Sequence, residues 1–195
     1  RNNELKGSLL GVIDCTVTPM GKRVIRQWVS KPLTNQNGIQ NRLDAVESFF
    51  NDGMIRAEVR ESLKGMNDME RLINRISGGM AIPRDLTALR NSIRKLPEII
   101  EIIEPILPAL TPIIQTIYPL EAVKQILESA VADDPPATLM NTGVIRAGYS
   151  EELDRIHQES GHAREWMANL ESSERERTGI KTLKVSYNKV FGYYI

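Results

Sequence analysis

Cys15 is the only cysteine among 195 residues, so the chain cannot close an internal disulfide or assemble a thiolate metal site. The expected role of Cys15 is that of a small buried hydrophobe, and a reducing cytoplasmic setting fits such a composition. Histidine is almost as scarce. His157 and His162 lie five apart in a helical stretch, whereas a zinc-binding pair on one helix face needs i, i+4 spacing. Excess charge of either sign is missing too, with 25 Lys+Arg against 25 Asp+Glu. A chain that wrapped nucleic acid over its whole surface would be basic, so any such contact must be local or lie elsewhere. No secretory signal opens the chain. Its most apolar stretch, Pro97 to Tyr118, carries Glu98, Glu101, Glu104 and several prolines, which excludes a bilayer span. A glycine-rich phosphate loop followed by Lys-Ser/Thr is absent, and with it any recognisable nucleotide site. No nucleophile has a histidine and a carboxylate near it in sequence, although triads assemble in space.

What is present is helical patterning. Hydrophobic residues make up 41% and charged residues 26%, ordinary values for a soluble globular chain long enough to bury a core. Thr18-Pro19 predicts a capped helix carrying Met20, Val24 and Trp28 and stopped at Lys31-Pro32. A second starts near Asn37, with Ile39, Leu43, Val46 and Phe50 on one face, and breaks at Asn51-Asp52-Gly53. A short helix carries Ile55, Val59 and Leu63. Asp68 caps another, lining up Met69, Leu72, Ile73 and Ile76 before Gly78-Gly79. Pro83 opens a longer helix through Leu86, Leu89, Ile93, Leu96 and Ile100, which Pro97 should kink or divide. Pro105, Pro108 and Pro112 mark a broken helical connection. Leu120 to Val131 gives one more amphipathic helix, ended by Asp133-Asp134-Pro135-Pro136. Those aspartates could suggest a metal pair, but before two prolines they read as turn chemistry.

The texture then changes to turns with a β-like patch at Val144-Ile145. Ser150 caps a long helix reaching about Arg177, charged on most of its surface and supported by Glu171/Arg175 and Glu151/Arg155 at i, i+4. It should span roughly 40 Å and project from the core. Gly161, after Ser160, is a soft spot, since interior glycine costs ~1 kcal/mol relative to alanine. It is a candidate flex point, and close helix packing is the alternative explanation. Leu183, Val185 and Tyr187 alternate with Lys184 and Ser186 as a half-exposed strand. Asn188-Lys189 is the expected turn, and Phe191 to Ile195 the returning strand. The fold class is therefore all-α: a multihelical core, one long helix, and a short β segment at the C-terminal end.

No catalytic residue stands out. Lys22, Arg23, Arg26 and Lys31 make the first long helix locally basic, a phosphate stripe or simply a solvated face. Lys184, Asn188 and Lys189, at the β segment, are the candidates for touching a phosphate backbone. The chain starts at Arg1 and stops inside the strand-like run 190–195, so we expect it to be a portion of something longer.

Several blocks resemble the central region of MutS-family DNA mismatch-repair proteins. They include Gly7-Ser-Leu-Leu-Gly-Val-Ile-Asp14, Thr16-Val-Thr-Pro-Met-Gly21, Asp68-Met-Glu-Arg71 and Pro83-Arg-Asp-Leu86. Asp133-Asp-Pro-Pro136 and Gly143-Val-Ile-Arg-Ala-Gly-Tyr149 follow, then Glu174-Arg-Glu-Arg-Thr-Gly-Ile180, and the run closes on Val190-Phe-Gly-Tyr-Tyr-Ile195. They stand in family order across nearly the whole chain. The resemblance implies a core and lever domain over residues 1–176 and the first strands of a DNA clamp over 177–195. It implies a full-length protein that binds mismatched double-stranded DNA, hydrolyses ATP with Mg in a separate domain, forms a homodimer and works with a MutL-type protein. The setting implied is cytoplasmic, at the nucleoid, with no membrane partner. Neither the mismatch-reading nor the nucleotide-binding residues of the family fall on this chain. By itself the chain should be no enzyme and hold no cofactor. The competing expectation is a stand-alone helical interaction scaffold without a DNA role.

Overall fold

The computed structural model describes residues 7–114, 120–188, 190 and 192–194. Its elements are α1 (Leu9–Ile13), α2 (Pro19–Ser30), α3 (Gln36–Asn51), α4 (Gly53–Lys64), α5 (Met69–Ser77) and α6 (Pro83–Ile103). A 3-10 turn (Glu104–Ile106), α7 (Leu107–Ile114), α8 (Glu121–Ala130) and α9 (Glu151–Thr178) follow, then β1 (Ser186–Asn188) and β2 (Gly192–Tyr194). Among the described residues the fold is all-α apart from this hairpin and one isolated bridge, Val131 with Ile145. It divides into two compact units, 1–146 and 147–195.

Short polar side chains start the helices, as the sequence pattern requires. Thr18 Oγ1 accepts from the Gly21 amide at 3.0 Å, and Asp52 Oδ1 from those of Met54 and Ile55 at 3.0 and 2.9 Å. Asp68 takes the Arg71 amide at 3.2 Å. Each bond satisfies a donor that the first helical turn leaves without a partner. Gly79 follows α5 at φ +67°, a conformation that favours a residue with no Cβ.

α6 is the axis of the first unit. α4, α5 and α8 all pack on it, and α3 packs on α4 and α7. One apolar cluster joins Leu72, Leu89, Ile93, Leu127 and Val131; the other joins Val59, Ile103 and Leu110 with Phe49 and Ala45 beside them. Polar pins supplement these contacts. Ser92, fully buried, accepts the Asn67 amide at 3.1 Å and donates to the Ala88 carbonyl, fixing the α4–α5 connection against α6. Arg23 of α2 grips Asp68 at 2.6 Å and Glu70 at 2.5 Å.

Four expectations need correction, and one pair of alternatives narrows. Of the two outcomes expected at Pro97, a kink or a division, division does not occur: α6 continues through it. Proline removes one intrahelical bond at a cost of about 3 kcal/mol, which burial of Ile93, Ile99 and Ile103 on both sides outweighs. The stripe Ile39, Leu43, Val46 and Phe50 is exposed, because α3 turns the neighbouring Ala45 and Phe49 inward. Cys15 is exposed, in the link between α1 and α2, where its carbonyl accepts from Arg60 at 2.8 Å. Arg155 pairs with Glu159, at 3.8 Å, where Glu151 was the expected partner. The β segment begins at Ser186, three residues later than the alternation at Leu183 suggests. The backbone of 183 and 185 is engaged elsewhere, as described next.

Candidate nucleic-acid interface and its anchoring

In the second unit a 28-residue helix leads into the hairpin. Ser150 Oγ accepts from Leu153 N at 3.4 Å, and Asp154 from Gly148 N at 2.8 Å. Glu151, Glu152 and Asp154 occupy the first turn and Arg175 and Arg177 the last, so side-chain charge opposes the helix dipole at both ends. Gly179, at φ +73°, closes α9, and its amide bonds the Arg175 carbonyl at 2.9 Å. Arg177 holds Glu174 at 2.6 Å and keeps that carboxyl below its ordinary range. No described residue of α9 is buried.

Past Gly179 the chain doubles back along the last turns of α9. Arg175 Nε donates to the Leu183 carbonyl at 2.8 Å, while its other end pairs with Glu171 Oε1 at 2.5 Å. Glu171 Oε2 accepts the Val185 amide at 3.1 Å. This explains the late start of β1: helix side chains take the bonds that a strand partner would otherwise supply. A cleft of about 570 Å³ remains beside them, lined by Met167, Glu171, Arg175, Val185 and Tyr187. β1 and β2 then pair antiparallel, with Ser186 opposite Tyr194, Tyr187 opposite Tyr193 and Asn188 opposite Gly192.

Lys184 is exposed between half-buried Leu183 and Val185. Asn188 ends β1 as a paired strand residue, and its Oδ1 accepts from Val190 N at 2.8 Å. Asn188, paired with Gly192, thus belongs to β1 and not to the expected Asn188-Lys189 turn. Lys189 lies outside the described residues, as do Phe191 and Ile195. Gly161 is inside α9, and a Cβ added there meets nothing within 4 Å. His157 and His162 are both exposed on α9. Of the basic residues on α2, Arg23 is committed to Asp68 and Glu70, which weakens the phosphate stripe expected there.

A second polar cluster, in the first unit, escaped sequence reasoning. Arg90 of α6 is 2% exposed and donates to the Val131 carbonyl at 2.8 Å and the Ala132 carbonyl at 3.4 Å. It also meets Asp133 at 3.1 Å, and Arg146 meets the same carboxylate at 2.8 Å. Arg146, and secondarily Arg90, hold the Asp133 carboxyl below its ordinary range. Between them run two backbone bonds, Ala132 N to Val144 O at 3.0 Å and Arg146 N to Ala130 O at 2.8 Å. The cluster ties the end of α8 and the 144–146 segment to α6. Nothing in the sequence marked Arg90, which follows Leu89 with no visible partner for forty residues. Asp133, read as turn chemistry, is the far half of that pair. Among the described residues no cluster of His, Cys, Asp or Glu could hold a metal ion, and no helix is long and apolar enough to cross a membrane.

The family model described as MutS domain III matches residues 1–188. Similar proteins include the DNA mismatch repair protein MutS of Halothermothrix orenii, 45% identical over the whole chain, which covers 22% of that relative. MutS of Acetivibrio thermocellus is 45% identical with the same coverage. That of Methanothrix thermoacetophila is 44% identical, again over the whole chain and 23% of the relative. The chain thus spans under a quarter of the length of the curated relatives it matches.

Proposed function

This chain belongs to the MutS family of DNA mismatch-repair proteins, and from that membership we propose that it is the mechanical link between nucleotide and DNA in a longer protein. Residues 1–176 act as core and lever. Residues 177–195 form the root of a clamp that holds the DNA backbone without reading its sequence. The observation that carries this reading is α9: 28 uninterrupted residues, about 40 Å long, with the segment that leads into the hairpin braced at Leu183 and Val185 against its last turns. A stiff element of that length can couple distant sites without a special wire of residues. Lys184, Asn188 and Lys189 contact the phosphate backbone in this scheme. Gly161 is the place where the lever flexes, since no neighbour explains the absence of a side chain there.

ATP and Mg bind in another domain of the full-length protein, which acts as a homodimer on mismatched duplex and engages a MutL-type partner at the nucleoid. The isolated chain would then neither hydrolyse ATP nor prefer mismatched DNA. Titration against matched and mismatched duplexes at two salt concentrations tests this. Weak, non-selective binding that fades with salt is expected from a few cationic contacts. Tight, salt-resistant or mismatch-selective binding would move recognition into this chain and refute the assignment. For the lever, Gly161→Ala in the full-length protein should slow ATP-dependent release from DNA, and unchanged release kinetics would remove the flex point.

A further inference from the structure

The brace between α9 and the chain that follows it has a consequence for Lys184. Leu183 and Val185 are the two backbone positions that α9 holds, the first through the Arg175 guanidinium and the second through the Glu171 carboxylate. Lys184 lies between these two anchor points and is exposed. A lysine on a free loop would spread its charge over many positions; one whose neighbours are pinned on both sides presents it from a fixed backbone. Glu171 and Arg175 are themselves locked together, and each is about one-third exposed. Their side chains are therefore occupied with holding the backbone.

The geometry points to Glu171 and Arg175 as positioning residues for DNA-backbone binding, acting through Lys184 rather than touching DNA. This rests on the reading that the 184–189 segment faces DNA. The role of Glu171 runs against simple electrostatics. A carboxylate near a polyanion repels it, so deleting Glu171 should tighten binding if charge alone matters. If Glu171 sets the position of Lys184, deletion weakens binding.

The test uses the full-length protein and fluorescence anisotropy with a labelled duplex at 50 and 200 mM salt. Lys184→Ala removes one phosphate contact, so the drop in affinity between the two salt concentrations should shrink by about threefold, the worth of one released counterion over a fourfold change in salt. Glu171→Ala should weaken binding at low salt and reproduce that shallower salt response. The double variant Lys184→Ala/Glu171→Ala should bind no more weakly than Lys184→Ala. Glu171→Gln keeps an oxygen for the Val185 amide and should recover part of the loss. Arg175→Lys keeps the charge but cannot bridge Leu183 and Glu171 together, so it should also weaken binding. Faster hydrogen exchange at the Val185 amide in Glu171→Ala, with α9 still protected, reports the loss of the brace in a folded protein. Tighter or unchanged binding in Glu171→Ala, with Lys184→Ala weakened, overturns the positioning role and leaves the DNA-facing reading standing. Unchanged affinity and salt response in Lys184→Ala overturns both.

Discussion

Replacing Arg90 with alanine should destabilise the first unit by about 3–5 kcal/mol, the cost of taking a charged donor from two backbone carbonyls. The structure supports this size. The guanidinium is 2% exposed and supplies hydrogen bonds to the Val131 and Ala132 carbonyls. Bonds from a charged donor contribute about 1.5–3 kcal/mol each. The longer of the two, at 3.4 Å, belongs at the bottom of that range. The ion pair with Asp133 adds little, because that carboxylate is 69% exposed and screened by water. Against these gains stands the Arg90 Nε, which is buried without a partner, a cost that alanine would relieve. Asp133→Ala should accordingly cost about 1 kcal/mol or less, several-fold less than Arg90→Ala. Urea unfolding followed by far-ultraviolet circular dichroism gives the two values. Hydrogen exchange at the Ala132 and Arg146 amides, which cross the cluster, localises them. Equal costs, or a larger one for Asp133→Ala, would mean that the exposed ion pair holds this corner and that the buried carbonyl bonds do not.

Gly161→Ala should raise the melting temperature, by about 0.4–1 kcal/mol of added stability, because the glycine is helical and its surroundings are open; a lower melting temperature would show that the site cannot take a methyl group. Acid should loosen the α2–α5 contact in a defined window. Hydrogen bonds from Arg23 hold the Asp68 carboxyl at about 2, below its ordinary 3.8. A depressed carboxyl pKa stabilises the fold above its unfolded value, so this contribution is complete above pH 4 and lost as the pH falls towards 2. Arg23→Ala should remove that part of the acid dependence, and identical acid-unfolding curves for variant and wild type would refute the assignment.

Local structure was widely legible because its causes are local. Thr18, Asp68 and Ser150 announce helix starts through a side chain three residues from the amide it caps, while Asp52, read only as part of a break, caps α4 as well. Gly79 and Gly179 end helices because L side chains disfavour their backbone angles. The family, too, could be read from ordered blocks. The brace at Lys184 was half visible: Glu171 and Arg175 were evident as an i, i+4 pair, but that both also reach the backbone of 183 and 185 was not. Helix periodicity says which residues share a face, and nothing about which chain folds back upon it. The same limit hid the orientation of α3, whose two apolar stripes are both hydrophobic enough to be core.

By itself, then, the sequence determined α2 to α6, α8, the long α9, the caps at Thr18, Asp68 and Ser150 and the C-terminal β segment, all products of interactions spanning a few residues; it left α1 unread. Tertiary structure alone decided which apolar stripe of α3 is buried, that α6 survives Pro97, and that the strand starts at Ser186. It alone brought Arg90 to Asp133 across forty-three positions of chain. The physical reason is common to all four. Each outcome depends on a partner distant in sequence, and the free energy of burial or pairing is realised only when that partner arrives.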